Sequence, residues 1–96
     1  MNRLLISGVV IQVEPLRHSP AGVPIAEAAI AHRSSQTVAG QMRQVECELT
    51  VQASGSLAAQ LAHLTSGTQV KLEGVLNRRS VNSRQLILIL NRIEKE

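Results

Sequence analysis

No phenylalanine, tyrosine or tryptophan occurs among the 96 residues, and cysteine occurs once, as Cys47. Without aromatic side chains the core has to be assembled from Leu, Ile, Val and Ala, which bury less area per residue. A core that small gains from a partner subunit, so the composition already favours a homodimer. A lone cysteine excludes an intramolecular disulfide and a multi-cysteine zinc site, and it suits a reducing compartment. No stretch approaches the roughly 18 consecutive apolar residues of a membrane span. The opening MNRLLISGVVIQVEP has one arginine and a short apolar run, but Ser7 and Gly8 interrupt it and Gln12, Val13 and Glu14 make a poor cleavage region. It reads as a strand rather than a signal peptide, and the protein as cytoplasmic.

What is there fits one globular domain over residues 1–96: hydrophobic residues make up 44% of the chain and charged residues 18%. The formal net charge is +3 and the pI about 10.0, a modest basic excess whose placement matters more than its total. The first run, Arg3 to Val13, carries Leu4, Ile6 and Val10 on one side and Leu5, Val9, Ile11 and Val13 on the other, with Gly8 permitting a sharp bend. HSPAGVP, His18 to Pro24, is a turn cluster. A second strand runs from Ile25 to Arg33 with Ala26, Ala28 and Ile30 facing in and Glu27 and Arg33 facing out, and SSQTVAGQ, Ser34 to Gln41, reads as a polar loop.

VECELTVQA gives the clearest alternation in the chain: Val45, Cys47, Leu49, Val51 and Ala53 alternate with polar residues, which predicts a half-buried strand with Cys47 inside. After it Ser56 can cap a short helix bearing Leu57, Leu61 and Leu64, with Gly67 placed to end it. Two more strands follow, Gln69 to Leu76 and Gln85 to Ile93. Three strands, one helix and two strands match an all-β, five-stranded OB-fold barrel with one short helix between strands 3 and 4, whose oligonucleotide site uses the loops joining strands 1–2 and 4–5. Barrel closure also removes the exposed sheet edges of a small all-β domain.

On that map LNRRSVNSRQLILIL, Leu76 to Leu90, is the 4–5 loop with its flanking strands, and it crowds Arg78, Arg79 and Arg84 into seven residues. Without the fold, such a loop is an ordinary solvated turn; with it, the loop is placed for phosphate contact.

Several fragments occur in order: NRLLISGVV at Asn2 to Val10, SPAGVP at Ser19 to Pro24, HRS at His32 to Ser34 and AGQMRQ at Ala39 to Gln44. Together they resemble the primosomal replication protein N (PriB) family, relatives of bacterial single-stranded DNA-binding proteins. The resemblance covers nearly the whole chain. It implies a homodimeric OB barrel that binds single-stranded DNA and partners the PriA helicase when stalled replication forks restart. Carried over by position, it implies a DNA face made of Arg33, the 1–2 loop around Arg17 and His18, and the 4–5 loop with Arg78, Arg79 and Arg84. One departure stands out: near Glu46 the family is expected to carry an aromatic residue, and this chain has a carboxylate there.

OB proteins combine a basic groove with aromatic stacking worth about 1–3 kcal/mol per base. This chain has no such platform, so phosphate neutralisation, with guanidinium planes and His18 or His32 offering limited stacking, has to supply the affinity. Binding is expected to be weak, tolerant of sequence and steeply salt-dependent. Arg33 has an alternative role as the ion-pair partner of Glu27 or Glu46. Ile87 and Ile89 make the last strand apolar on its second face, as for a subunit interface or for helix packing. His18, His32 and His63 lack metal-ligand spacing, no cofactor motif is present, and Cys47 on a core face is no nucleophile, so no metal, cofactor or enzymatic activity is expected. The leading reading is a single-stranded DNA-binding accessory of the restart primosome. A protein-interaction adaptor that mainly binds a helicase is the alternative, favoured by Glu46 and the missing aromatics and opposed by the clustered arginines. A strand-coating protein with an acidic-tipped tail fits less well, since the last strand runs almost to NRIEKE.

Overall fold

A computed structural model describes all 96 residues. The elements in order are β1 (Leu4–Val13), β2 (Arg17–His18), β3 (Pro24–Val38), β4 (Gln41–Ser54), α1 (Ser56–Ala62), β5 (Gln69–Arg78) and β6 (Leu86–Lys95). β1 pairs with β5, β5 with β6, β6 with β4, β4 with β3, and β3 returns to β1, so five strands close into a ring. All these ladders are antiparallel except β4–β6, which is parallel through Val51↔Leu88 and Gln52↔Ile89. This is the expected OB-fold barrel, with its helix between the third and fourth long strands.

The interior is aliphatic, as the composition demands. Val10, Ala26, Ala28, Ile30, Val51, Ala53, Val70, Leu72 and Leu88 are at most 2% exposed, and Ala58, Leu61 and Leu64 bring the helix segment into the same cluster. Each Leu, Ile or Val side chain fully buried there contributes about 1.5–3 kcal/mol of transfer free energy. The alternating alanines of β3 are small enough for two strands and the helix to converge on them. Two glycines allow strands to approach closely. A Cβ on Gly8 would sit 2.5 Å from the carbonyl oxygen of Ala31, and one on Gly74 would sit 2.1 Å from that of Ile89. Both contacts are with backbone, which cannot yield as a side chain end can.

Five expectations need correction. The polar stretch Ser34–Gln41 is no loop: β3 and β4 continue through it as a long hairpin paired to Val38↔Gln41, and every residue from Ser35 to Gln44 is exposed. Its two-residue turn sets Ala39 at φ 52° and Gly40 at φ 78°, the two left-handed positions that match the twist of a hairpin. Cys47 is exposed rather than buried. It pairs with His32, one position beyond Val9↔Ala31, the last contact of β3 with β1, so nothing closes over the inner face there.

Gly55, not Ser56, is the helix N-cap, and Ser56 is already helical. Gly67 does not end the helix, which stops at Ala62; its N–H donates to the Val10 carbonyl at 2.8 Å, stitching the approach to β5 onto β1. That contact lies beside a register shift in β1 between Val10 and Gln12. Finally, Ile87 is buried and Ile89 half-buried, so beyond Leu86 (54% exposed) β6 offers little free apolar surface, whereas Leu5, Val9 and Ile11 on β1 remain 55%, 37% and 40% exposed.

Candidate nucleic-acid interface

The pleat of β3 and β4 decides which side chains face outward. With Ala26, Ala28, Ile30, Val51 and Ala53 inside, the opposite face presents the cross-strand pairs Glu27–Gln52, Ala29–Thr50, Ala31–Glu48 and Arg33–Glu46. Two connections border the Glu27 end of this face. One is the segment after β1, which forms the two-residue β2 against β3 (Arg17↔Ile25, His18↔Pro24). The other is the β5–β6 hairpin, the 4–5 loop of the sequence reading, whose ladder is extended past Arg78↔Leu86 by Arg79 N–H donating to the Gln85 carbonyl at 2.9 Å.

Side chains from both connections meet on Glu27. Arg79 donates Nη1 and Nη2 to Glu27 Oε1, each at 2.8 Å. Arg17 donates Nη2 to Oε2 at 3.0 Å, and Gln52 donates Nε2 to the same oxygen at 3.1 Å. The Glu27 side chain is only 11% exposed, although it projects from the outer face, because these donors cover it. Around them lies an open cleft of about 660 Å³, lined also by Glu14, Pro15, Ala29 and Thr50.

Arg33 lies six residues further along β3, about 20 Å away at strand rise. Its Nε lies 2.9 Å from Glu46 Oε1 in a well-exposed ion pair, which settles the choice between Glu27 and Glu46 as its partner. The tip of the β5–β6 hairpin is different. Arg78 donates Nη1 to its own loop, at the Val81 carbonyl (3.0 Å), and Arg84 is exposed with no ion pair or side-chain hydrogen bond. His18 is likewise exposed and unengaged. His32 is half-buried with both ring nitrogens in hydrogen bonds, to the Ser7 carbonyl at 2.7 Å and Ser34 Oγ at 2.8 Å, and the pleat places it, opposite Cys47, on the other side of β3 from Arg33.

The structure thus brings together Arg17 and Arg79, keeps Arg33 on the same outer face, and leaves Arg78, Arg84 and His18 at the rims. Over that face and its cleft Arg17, Arg33 and Arg79 stand against Glu14, Glu27, Glu46 and Glu48, three positive charges against four negative. The sequence reading missed two contributors. Alternation had placed Glu27 outward, but its role as the meeting point of two loops depends on contacts across 10 and 52 residues of chain. Arg43, exposed on the protruding hairpin and without a carboxylate partner, fell between the expected loop ending at Gln41 and the expected strand starting at Val45.

A closed barrel of this topology, with basic connections framing one polar outer sheet face, defines an OB-fold protein of the single-strand binding class. Residues 2–92 match the model described as "Another single-strand binding protein family". The chain belongs to that family and, within it, to the replication restart protein PriB group. It is 40% identical over 77 residues to replication restart protein PriB of Photorhabdus laumondii, covering 79% of this chain and 73% of the relative. The PriB of Nitrosomonas europaea is 33% identical over 87 residues, covering 91% and 81%. Among solved structures, PriB from Ralstonia solanacearum superposes with a TM-score of 0.93 at 27% identity, covering 100% of this chain and 98% of that one.

Proposed function

We propose that the protein is a single-stranded DNA-binding accessory of the replication-restart primosome, acting in the cytoplasm as a homodimer and recruiting or stimulating the PriA helicase. The strand lies across the outer face of β3 and β4, with Arg78, Arg79, Arg84, Arg33, Arg17 and His18 contacting its phosphates. One observation carries this reading: Arg17 and Arg79, from two connections far apart in sequence, converge at one end of a polar, solvent-open sheet face. With no aromatic residue to stack on bases, affinity rests on phosphate contacts and is weak. Weak attachment suits an accessory held at the same time by a helicase, since two linked contacts reinforce one another. The exposed Leu5, Val9 and Ile11 of β1 supply an apolar strip for the second subunit. Sedimentation at twice the 10.4 kDa chain mass is the expected result, and a monomer at micromolar concentration removes that part of the reading.

The lack of a net positive charge on the outer face favours a second reading, in which the barrel mainly binds the helicase and touches DNA incidentally. Competition separates the two. In titrations with a labelled single strand, the first reading expects the unlabelled single strand to displace it far better than duplex of the same sequence. Equal displacement by both, or no binding until a helicase is added, supports the adaptor.

A further inference from the structure

Glu27 accepts four N–H donors on its two oxygens, which fills the lone-pair capacity of a carboxylate. The donors come from β2 and β4, which their ladders hold on either side of β3, and from the β5–β6 hairpin, so three segments meet on one carboxylate. The two guanidinium side chains remain 58% (Arg17) and 40% (Arg79) exposed and border the open cleft, so an anion arriving from solvent can reach them. A phosphodiester matches Glu27 in the features that the donors read: one negative charge shared over two terminal oxygens that accept paired N–H groups. It also meets Glu27 as a like charge. Glu27 thus cancels one of the two positive charges that it gathers, in a cleft that Glu14 also lines.

We propose that Glu27 is an internal competitor for backbone phosphate, a positioning residue that orients Arg17 and Arg79 and at the same time holds down the single-strand affinity of their cleft. The inference rests on the single-strand reading above. Glu27→Gln keeps the volume and a carbonyl oxygen for the guanidinium groups while removing the charge. Removing a like charge at contact distance near a solvated surface is expected to tighten binding roughly fivefold in about 50 mM salt and to steepen the log–log salt dependence by up to about 0.7. Glu27→Asp, which keeps the charge, is expected to retain the wild-type salt slope. A strut with no competing role would leave the slope of both variants unchanged.

The test is fluorescence anisotropy of a labelled single strand with wild type, Glu27→Gln, Glu27→Ala and Glu27→Asp, repeated in an Arg17→Ala/Arg79→Ala background, with thermal melts to confirm folding. Tighter binding by the neutral variants, with a clearly smaller gain in the arginine-free background, is the expected result, and a gain of the same size in both backgrounds overturns the competition. Wild-type binding with equal or weaker binding by both neutral variants overturns the inference alone. No single-strand binding by the wild type overturns the reading on which it rests.

Discussion

Arg79 at the cleft adjoins Arg78 in sequence and lies close to Arg84 at the tip of the β5–β6 hairpin, yet the cleft and tip arginines differ in electrostatic circumstance. Arg79 and Arg17 spend their donors on Glu27. Arg84 faces solvent unpaired, and Arg78 touches only the carbonyl of Val81. Arg33 sits with the first group, across the ladder from Glu46. A count of basic residues therefore overstates what the outer face offers a phosphate. The uncompensated charge lies at the tip, and the compensated charge lies along the sheet.

That contrast predicts unequal consequences for changes of similar size. Arg78→Ala with Arg84→Ala removes two uncompensated charges. At about 0.7 of log–log slope per phosphate contact, the double variant should flatten the salt dependence by about 1.4 and lose on the order of sixtyfold in affinity at about 50 mM salt relative to a 1 M reference. Circular dichroism should show an intact barrel. A wild-type slope would mean that the tip is only a solvated turn, or belongs to a protein partner.

Next in size is Glu46→Trp, which frees Arg33 and adds a stacking surface on a side chain that is 59% exposed. Single-strand binding should strengthen by roughly 1–3 kcal/mol. Unchanged or weaker binding would show that DNA does not cross the Arg33–Glu46 end of the face. Removing that pair together, Arg33→Ala with Glu46→Ala, deletes one charge of each sign from an exposed site and should shift affinity by no more than about twofold, since such pairs contribute little. A loss as large as that of the tip variant would erase the distinction between compensated and free arginines.

The smallest effect belongs to Arg3, just before β1, and Glu73 of β5, which pair away from the cleft at 2.8 Å. The hydrogen bond from Arg3 holds the Glu73 carboxyl below its ordinary range, and the same bond raises Arg3. A folded-state pKa below the unfolded one contributes stability above the ordinary carboxylate value, and that contribution fades as pH falls through the lowered one. Glu73→Gln should therefore melt slightly lower than wild type at neutral pH and match it in acid, with single-strand affinity unchanged. A change in affinity would place the DNA face on the wrong side of the barrel.

The barrel was legible because its determinants are local. Period-two alternation in Ala26, Ala28, Ile30, Val51 and Ala53 marks inward faces wherever a strand is covered, and the leucines of the helix segment mark its buried side. The same pattern misled at Cys47, since alternation shows which side a residue faces and not whether anything covers that side. The long β3–β4 hairpin escaped notice for a related reason. Its arms are mostly polar, with Val38 and Met42 the exceptions, and its turn uses Ala39 and Gly40 where Asn-Gly is the familiar signal. In the candidate site, charge type and loop position could be read along the chain. The pairing of Arg17 and Arg79 through Glu27 could not, because barrel closure alone brings those residues together.

The central claim is that phosphate neutralisation, without stacking, supplies the single-strand affinity. It is tested most directly by measuring wild-type affinity for thymine-rich and adenine-rich single strands from about 50 mM to about 1 M salt. The account predicts parallel lines of log affinity against log salt, with nearly equal affinities for the two strands and little binding left at the high-salt end. Affinity that persists at high salt, or that differs strongly between the two strands, would contradict it.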